Sequence, residues 1–209
     1  VLFRSNRAIT LWDYEHLILQ HFPEVYKVKC LNHTKQRVVD GAGKISFLSP
    51  GNILIVVIPD IQNKNVFDIF EPRVSAAGLK RIQDFVNKYN SLHVTACVVN
   101  PVYEKVSVSL KVRFRAGYDE IYYQQVLNDA IVKMLSPWAF DKSAALSFGL
   151  TLHRSKIINS IEKLEYVDYI EDVVLSKGTA TNLVNATPEN PVSILVSAKK
   201  HNITLSEKK

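Results

Sequence analysis

Thiol chemistry is nearly missing from this sequence. Its two cysteines, Cys30 and Cys97, both sit inside apolar, strand-like runs, where a thiol serves as a small buried hydrophobe rather than as half of a disulfide. The expected compartment is therefore a reducing one. Long apolar runs are missing too: the longest, Ile53 to Ile58, is strand-sized and ends at Pro59, well short of the roughly 20 residues that span a bilayer. The chain starts without Met, and no charged segment leads into an apolar one. No secretory signal is visible, and a piece of a longer polypeptide is expected. Nor does one sign of charge dominate. A formal charge of +6, scattered over 209 residues, reads as the solvated face of a complex subunit before it reads as a nucleic-acid footprint.

The signatures of catalysis are absent as well. A reaction centre needs a nucleophile, a base and an anion hole within reach of one another, and a sequence commonly shows a Gly-flanked Ser, a His-rich helix or a phosphate loop. Gly41-Ala42-Gly43-Lys44 has the flavour of a phosphate cradle but not the spacing, and reads as a flexible turn. His16 and His21 are five residues apart and do not share a helical face as metal ligands would. Cys30 and His33 would need a distant partner to hold a metal, so the plain reading is a core thiol and a loop imidazole. Asp13, Glu15, Glu162 and Glu165 read as scattered helix-surface carboxylates. No catalytic residue, cofactor or metal site is expected, and the chain is not read as an enzyme.

What the sequence does have is periodicity. At 47% apolar and 22% charged residues it can bury a core unaided. Thr10 with Asp13 has a capping-box spacing ahead of a stripe of Leu11, Tyr14, Leu17, Ile18 and Phe22. A strand over 25–31 follows, with Tyr26, Val28 and Cys30 on one face and Val25, Lys27 and Lys29 on the other. Residues 32–51 read as a loop with a short strand at 45–48. Residues 52–58 are apolar on both faces, as in a central strand or a subunit contact. Ser75 caps a helix with the stripe Leu79, Ile82, Phe85, Val86 and Tyr89, and a strand over 94–99 ends at Asn100-Pro101.

Beyond that break, Tyr103 to Arg115 alternates without exception. Val106, Val108, Leu110, Val112 and Phe114 face in, while Ser107, Ser109, Lys111, Arg113 and Arg115 face out. Asp119 caps a helix that ends at Ser136-Pro137. Ser155 is placed to cap a helix striped by Ile157, Ile158, Ile161 and Leu164, which leads directly into a strand running to Leu175. Residues 176–191 read as a mobile excursion, and 192–198 and 203–205 as short strands that pair either within the second sheet or with a neighbouring chain. The expected fold class is α+β: two small modules, residues 1–100 and 101–178, each with helices on one face of a mainly antiparallel sheet of ferredoxin-like flavour, and a loop and short-strand tail, 179–209.

Candidate contact residues are few. Lys111, Arg113 and Arg115 form a basic outer face on the alternating strand. An RNA-binding sheet would interleave aromatic rings on that face, whereas Phe114 points the other way, so a rim of ion pairs to an acidic neighbour is the preferred use. A nucleic-acid-binding ferredoxin-like module is kept as the alternative. Trp138 and Phe140 fall in a loop, either tucked beneath it or presented to a partner.

The order of these stretches resembles the C-terminal half of the baseplate J-like wedge proteins of contractile phage tails and related contractile injection systems. The carrying segments are RAITLWDYEHLILQHFPEVYKVKCLNH, PGNILIVVIPD with AAGLKRIQDFVNKYN, NPVYEKVSVSLKVRF, FGLTLHRSKIINSIEKLEYVDYIEDVVL and SILVSAKKHNIT. The chain departs from the family pattern at Tyr166-Val167-Asp168, where a Gly is common, and in a thinner Gly-rich segment before the fourth helix. The resemblance implies a noncatalytic wedge subunit that pairs with copies of itself and with other wedge components. It implies assembly in the bacterial cytoplasm and then a place in a phage tail or injection particle, with no small-molecule substrate and no membrane insertion.

Overall fold

The computed structural model describes residues 7–39, 42–60, 68–141 and 148–206. Its internal contacts divide the chain into two compact units, Val1–Pro101 and Val102–Lys209. Both are α+β.

In the first unit, Thr10 and Asp13 make the reciprocal capping box that their spacing suggests, and helix α1 runs Leu11–His21. Its Tyr14, Leu17 and Ile18 are buried, whereas Leu11, expected in the same stripe, is exposed. Strand β1, Val25–Asn32, does not keep the simple alternation expected of it. A bulge between Val25 and Lys27 inserts Tyr26 as an extra residue, so Val25 and Val28 are both buried and Tyr26 is exposed. The stretch read as a loop is a hairpin, β2 Lys35–Val39 with β3 Ala42–Ser46. Ala42, Gly43 and Lys44 of the cradle-like stretch belong to β3, and Gly41 lies outside the described residues.

Strand β4, Asn52–Pro59, is the centre of a three-stranded sheet, antiparallel to β1 and parallel to β5, Thr95–Val99. Helix α2, Ala76–Asn87, crosses between them, capped by Ser75, whose Oγ accepts from the Gly78 N–H. Ile55 and Val57 of β4 join Tyr14, Ile18, Ile82 and Val86 in one core under both helices. Leu54, Val56 and Ile58, on the other face of the same strand, are equally buried. A strand apolar on both faces is covered on both faces, as its composition requires.

The second unit is built on β6, Val102–Phe114, which keeps the expected in-and-out burial from Val106 to Phe114. Helix α3, Glu120–Leu135, is capped by Asp119, which accepts from the Tyr122 N–H. It lays Leu127, Ile131 and Leu135 on the inward face of β6. A single 3-10 turn, Pro137–Ala139, follows. Strand β7, Leu152–His153, precedes helix α4, Arg154–Glu162. Ser155 is not the cap of α4. β7 pairs with β10, Asn185–Ala186, holding the chain extended up to His153, so the helix starts at Arg154 and has no side-chain cap.

Strand β8, Val167–Lys177, lies antiparallel to β6, and β9, Ala180–Leu183, returns along it through Gly178 at φ +57. Half of the stretch read as a mobile excursion, residues 176–191, is thus strand. Instead of forming a hairpin with each other, β11, Ser193–Ser197, and β12, Asn202–Leu205, both run parallel to β6, the first beside 102–106 and the second beside 109–112. The terminal strands pair within the chain.

Between them His201 fills the missing rung: the Val108 N–H donates to its Nδ1 at 3.1 Å. Nδ1 is therefore bare, and Nε2 carries the proton, 3.0 Å from Ser197 Oγ. Burial pulls the imidazole down to about 4.

Candidate protein-interaction surface

Two of the three cations on the basic face read from β6 meet carboxylates of β8. A break in the β6–β8 register puts Asp172 in the left-handed region at φ 50, a conformation that Asp tolerates better than most residues. Its carboxylate meets Lys111 at 2.8 Å. Arg113 Nε lies 3.9 Å from Asp168, and its guanidinium sits 5.7 Å from the centre of the Tyr169 ring. Arg115 turns back to donate from Nε to the Val167 carbonyl at 3.1 Å. Tyr169 thus places an aromatic ring on the outer face that β6 alone does not supply. The Ser206 hydroxyl and then Arg113 lower the Tyr169 phenol from its ordinary value.

The two loop aromatics divide the alternatives between them. Trp138 is turned inward and, with Val106, Leu135, Leu150 and Leu195, lines a cavity of about 150 Å³. Its Nε1–H is buried without a partner, a cost of about 1–3 kcal/mol for a donor in that state. Phe140 is 52% exposed, with Lys133 Nζ 5.9 Å from its ring centre. The structure therefore does not bring the five candidates into one cluster: Lys111 and Arg113 lie on the outer face of β6, Arg115 just past its end, Trp138 lines a cavity, and Phe140 stands at the surface.

Sequence reading missed larger apolar exposures. Leu48 and Leu92 are 91% and 86% exposed, on turns that meet at one end of the first sheet, where His93 O is 3.0 Å from the position of a Cβ on Gly51. In the second unit Ile121 is 77% exposed beside Tyr122. Nothing in a turn sequence distinguishes a presented Leu from a buried one. An aromatic cluster stands nearby, with Tyr123 perpendicular to Tyr118 at 4.8 Å and tilted against Tyr166 at 5.0 Å. Burial raises the Tyr166 phenol above its ordinary value.

Among the described residues no three of His, Cys, Asp and Glu gather to hold a metal ion, and no helix is long and apolar enough to cross a membrane. Cys30 is buried against α1; burial, and then Glu15, push its thiol far up, away from a reactive thiolate. Glu15, read as a surface carboxylate, accepts from the Cys30 N–H at 3.2 Å.

Comparison with known proteins adds three findings. A solved structure of the anti-feeding prophage (AFP) baseplate, 6-fold symmetrised, contains a chain similar to this one, with TM-score 0.62 and 20% identity. The match takes in 93% of this chain and 38% of that one, so the present chain spans well under half of its neighbour's length. No curated protein matches the sequence. The model of the family described as baseplate protein PVC11-like matches residues 1–199 of the 209, and on that extent the chain belongs to the PVC11-like baseplate proteins, structural components of a baseplate.

Proposed function

We propose that the chain is part of a wedge subunit of a contractile injection system or phage tail baseplate, working through contact with other protein chains and breaking no bonds. The observation that carries this reading is the family match over residues 1–199. Two features of the molecule support it. Each unit has a well-filled core of its own, and large apolar side chains stand exposed at the turns carrying Leu48 and Leu92 and at Ile121 and Phe140, the side-chain types that anchor contacts between proteins. The partners are copies of the same chain and other baseplate components, met in the bacterial cytoplasm before the particle is complete. Phe140, Arg113, Arg115, Lys111 and the rim of the Trp138 cavity are candidates for the contact on the second unit.

The test is assembly itself. Leu48→Asp combined with Leu92→Asp, and separately Phe140→Ala, are introduced into the parent protein, and particles are counted by negative-stain microscopy. Loss of assembled baseplates with an unchanged circular dichroism spectrum is expected; baseplates that form in normal numbers without the protein sink the reading. Nucleic-acid binding has one observation in its favour, the Arg113–Tyr169 pair on the outer sheet face. It predicts a salt-dependent shift of single-stranded oligonucleotides that Arg113→Ala with Arg115→Ala weakens.

A further inference from the structure

The helices of both units send polar side chains to the strand edges that lie beside them. In the first unit β5 is an outer strand, and its Ala96 and Val98 turn their backbone groups away from β4. Asn87 answers Ala96 twice: the Ala96 N–H donates to Oδ1 at 3.0 Å, and Nδ2 donates to the Ala96 carbonyl at 3.2 Å. Gln83, one helical turn earlier on α2, accepts from the Val98 N–H at 3.1 Å. Past the end of β5, Asn100 makes the same double bond with Val74, at 2.8 and 2.9 Å.

The second unit repeats the device. On α3, Gln124 donates to the Ile203 carbonyl on the outer side of β12. Asn128, again one turn on, accepts from the His201 N–H at 3.0 Å, and Ser136 at the helix end accepts from the Ser197 N–H of β11 at 2.9 Å. A Gln and an Asn four residues apart project from one helical face. On α2 and on α3 that face is turned to the outer edge of a strand running parallel to the central one. A side-chain amide has a donor and an acceptor with the spacing of a peptide group, so it stands where the next strand would bond.

We propose that Gln83 with Asn87, and Gln124 with Asn128, are edge seals that stop the outer sides of β5 and β12 from accepting a strand of a second copy of this chain. An outer strand offers unpaired N–H and C=O groups to any extended segment, and open edges are the usual route to strand-paired aggregates. The hazard is greatest for a protein held in many copies at high local concentration. With these two edges closed, copies that meet at β5 or β12 do so through side-chain surfaces instead of by indiscriminate strand addition.

The test uses the 209-residue chain. Gln83→Ala with Asn87→Ala, and separately Gln124→Ala with Asn128→Ala, are compared with wild type and with Gln125→Ala, an exposed neighbour, by sedimentation velocity over a wide concentration range and by thioflavin fluorescence. The expected result is concentration-dependent association and dye binding in the two double variants alone. Asn87→Asp and Asn128→Asp keep the acceptor and add a charge to the edge, so they are expected to stay like wild type. Folded double variants with wild-type sedimentation overturn the proposal. Should the double variants unfold, amide exchange of the wild-type chain decides: Ala96, Val98 and His201 N–H groups protected to within about tenfold of the inward-facing Cys97 support the seals, and exchange at the rate of free amides overturns them.

Discussion

The central strands of the two units bury their side chains differently. β4 has Leu54 to Ile58 buried without a break, on both faces. β6 buries every second residue, from Val106 to Phe114, and keeps Ser107, Lys111 and Arg113 on a face with water and ion pairs. One strand is enclosed and the other is half a surface. The first unit therefore depends on whatever covers the second face of its sheet, while the second unit closes its core with α3 and α4 and leaves the outer face to polar chemistry.

A charge on the second face of each central strand gives the largest expected difference. Val56→Asp places a carboxylate in a fully apolar site and should unfold the first unit, at a cost of several kcal/mol. Ser107→Asp, on the outer face of β6, should cost at most about 1 kcal/mol. Denaturant melts report the units separately because Trp12 lies in one and Trp138 in the other. If the two changes cost the same, the contrast between enclosed and half-exposed strands is wrong.

Core truncation comes next. Ile82→Ala under the first sheet and Leu127→Ala under the second each remove a fully buried side chain and should each cost about 2–5 kcal/mol. Each should be seen first by the tryptophan of its own unit. Labelling of Cys30 gives a second view of the first unit, since its buried thiol should react only on opening, and faster in Ile82→Ala.

Acid separates the units by pH window. His201 is held near 4 in the fold against an ordinary 6.5, so its contribution is complete above about pH 6.5 and is lost as the pH falls through that value toward 4. His201→Gln keeps an acceptor for the Val108 N–H and should flatten the denaturant midpoint of the second unit over that range. In the first unit the Thr10 N–H holds the Asp13 carboxyl below its ordinary 3.8, so that contribution is present above about 3.8 and is lost only as the pH falls below it. A second-unit midpoint that does not move between pH 6.5 and 4 contradicts the buried, neutral imidazole.

The smallest effects test the helix starts. Thr10→Ala removes a capping side chain and should cost about 1 kcal/mol. Ser155→Ala, within the first turn of uncapped α4, should change stability by less than about 0.5 kcal/mol.

Local order was legible and long-range pairing was not. The capping box at Thr10 and Asp13, the caps at Ser75 and Asp119, and the alternation of β6 come from neighbouring residues and could be read directly. The Tyr26 bulge and the start of α4 at Arg154 depend on partners distant in sequence, β4 and β10, and periodicity cannot report them. The same limit hid the contact surface: Lys111 and Arg113 look free until β8 brings Asp172 and Asp168 alongside. Gln83, Asn87, Gln124 and Asn128 read as ordinary helix-surface residues until their strands are in place.

The rung that His201 supplies joins residues 93 positions apart. β6 is made well before residues 193–205, and one whole side of it stays bare until they arrive, so the second unit is completed by the slow closure of a long loop. During synthesis, and on any template truncated before residue 193, a 13-residue strand with a bare flank would be exposed to neighbouring nascent chains. The production of this protein should be most sensitive to conditions at that stage, and least tolerant of changes that delay the arrival of β11 and β12.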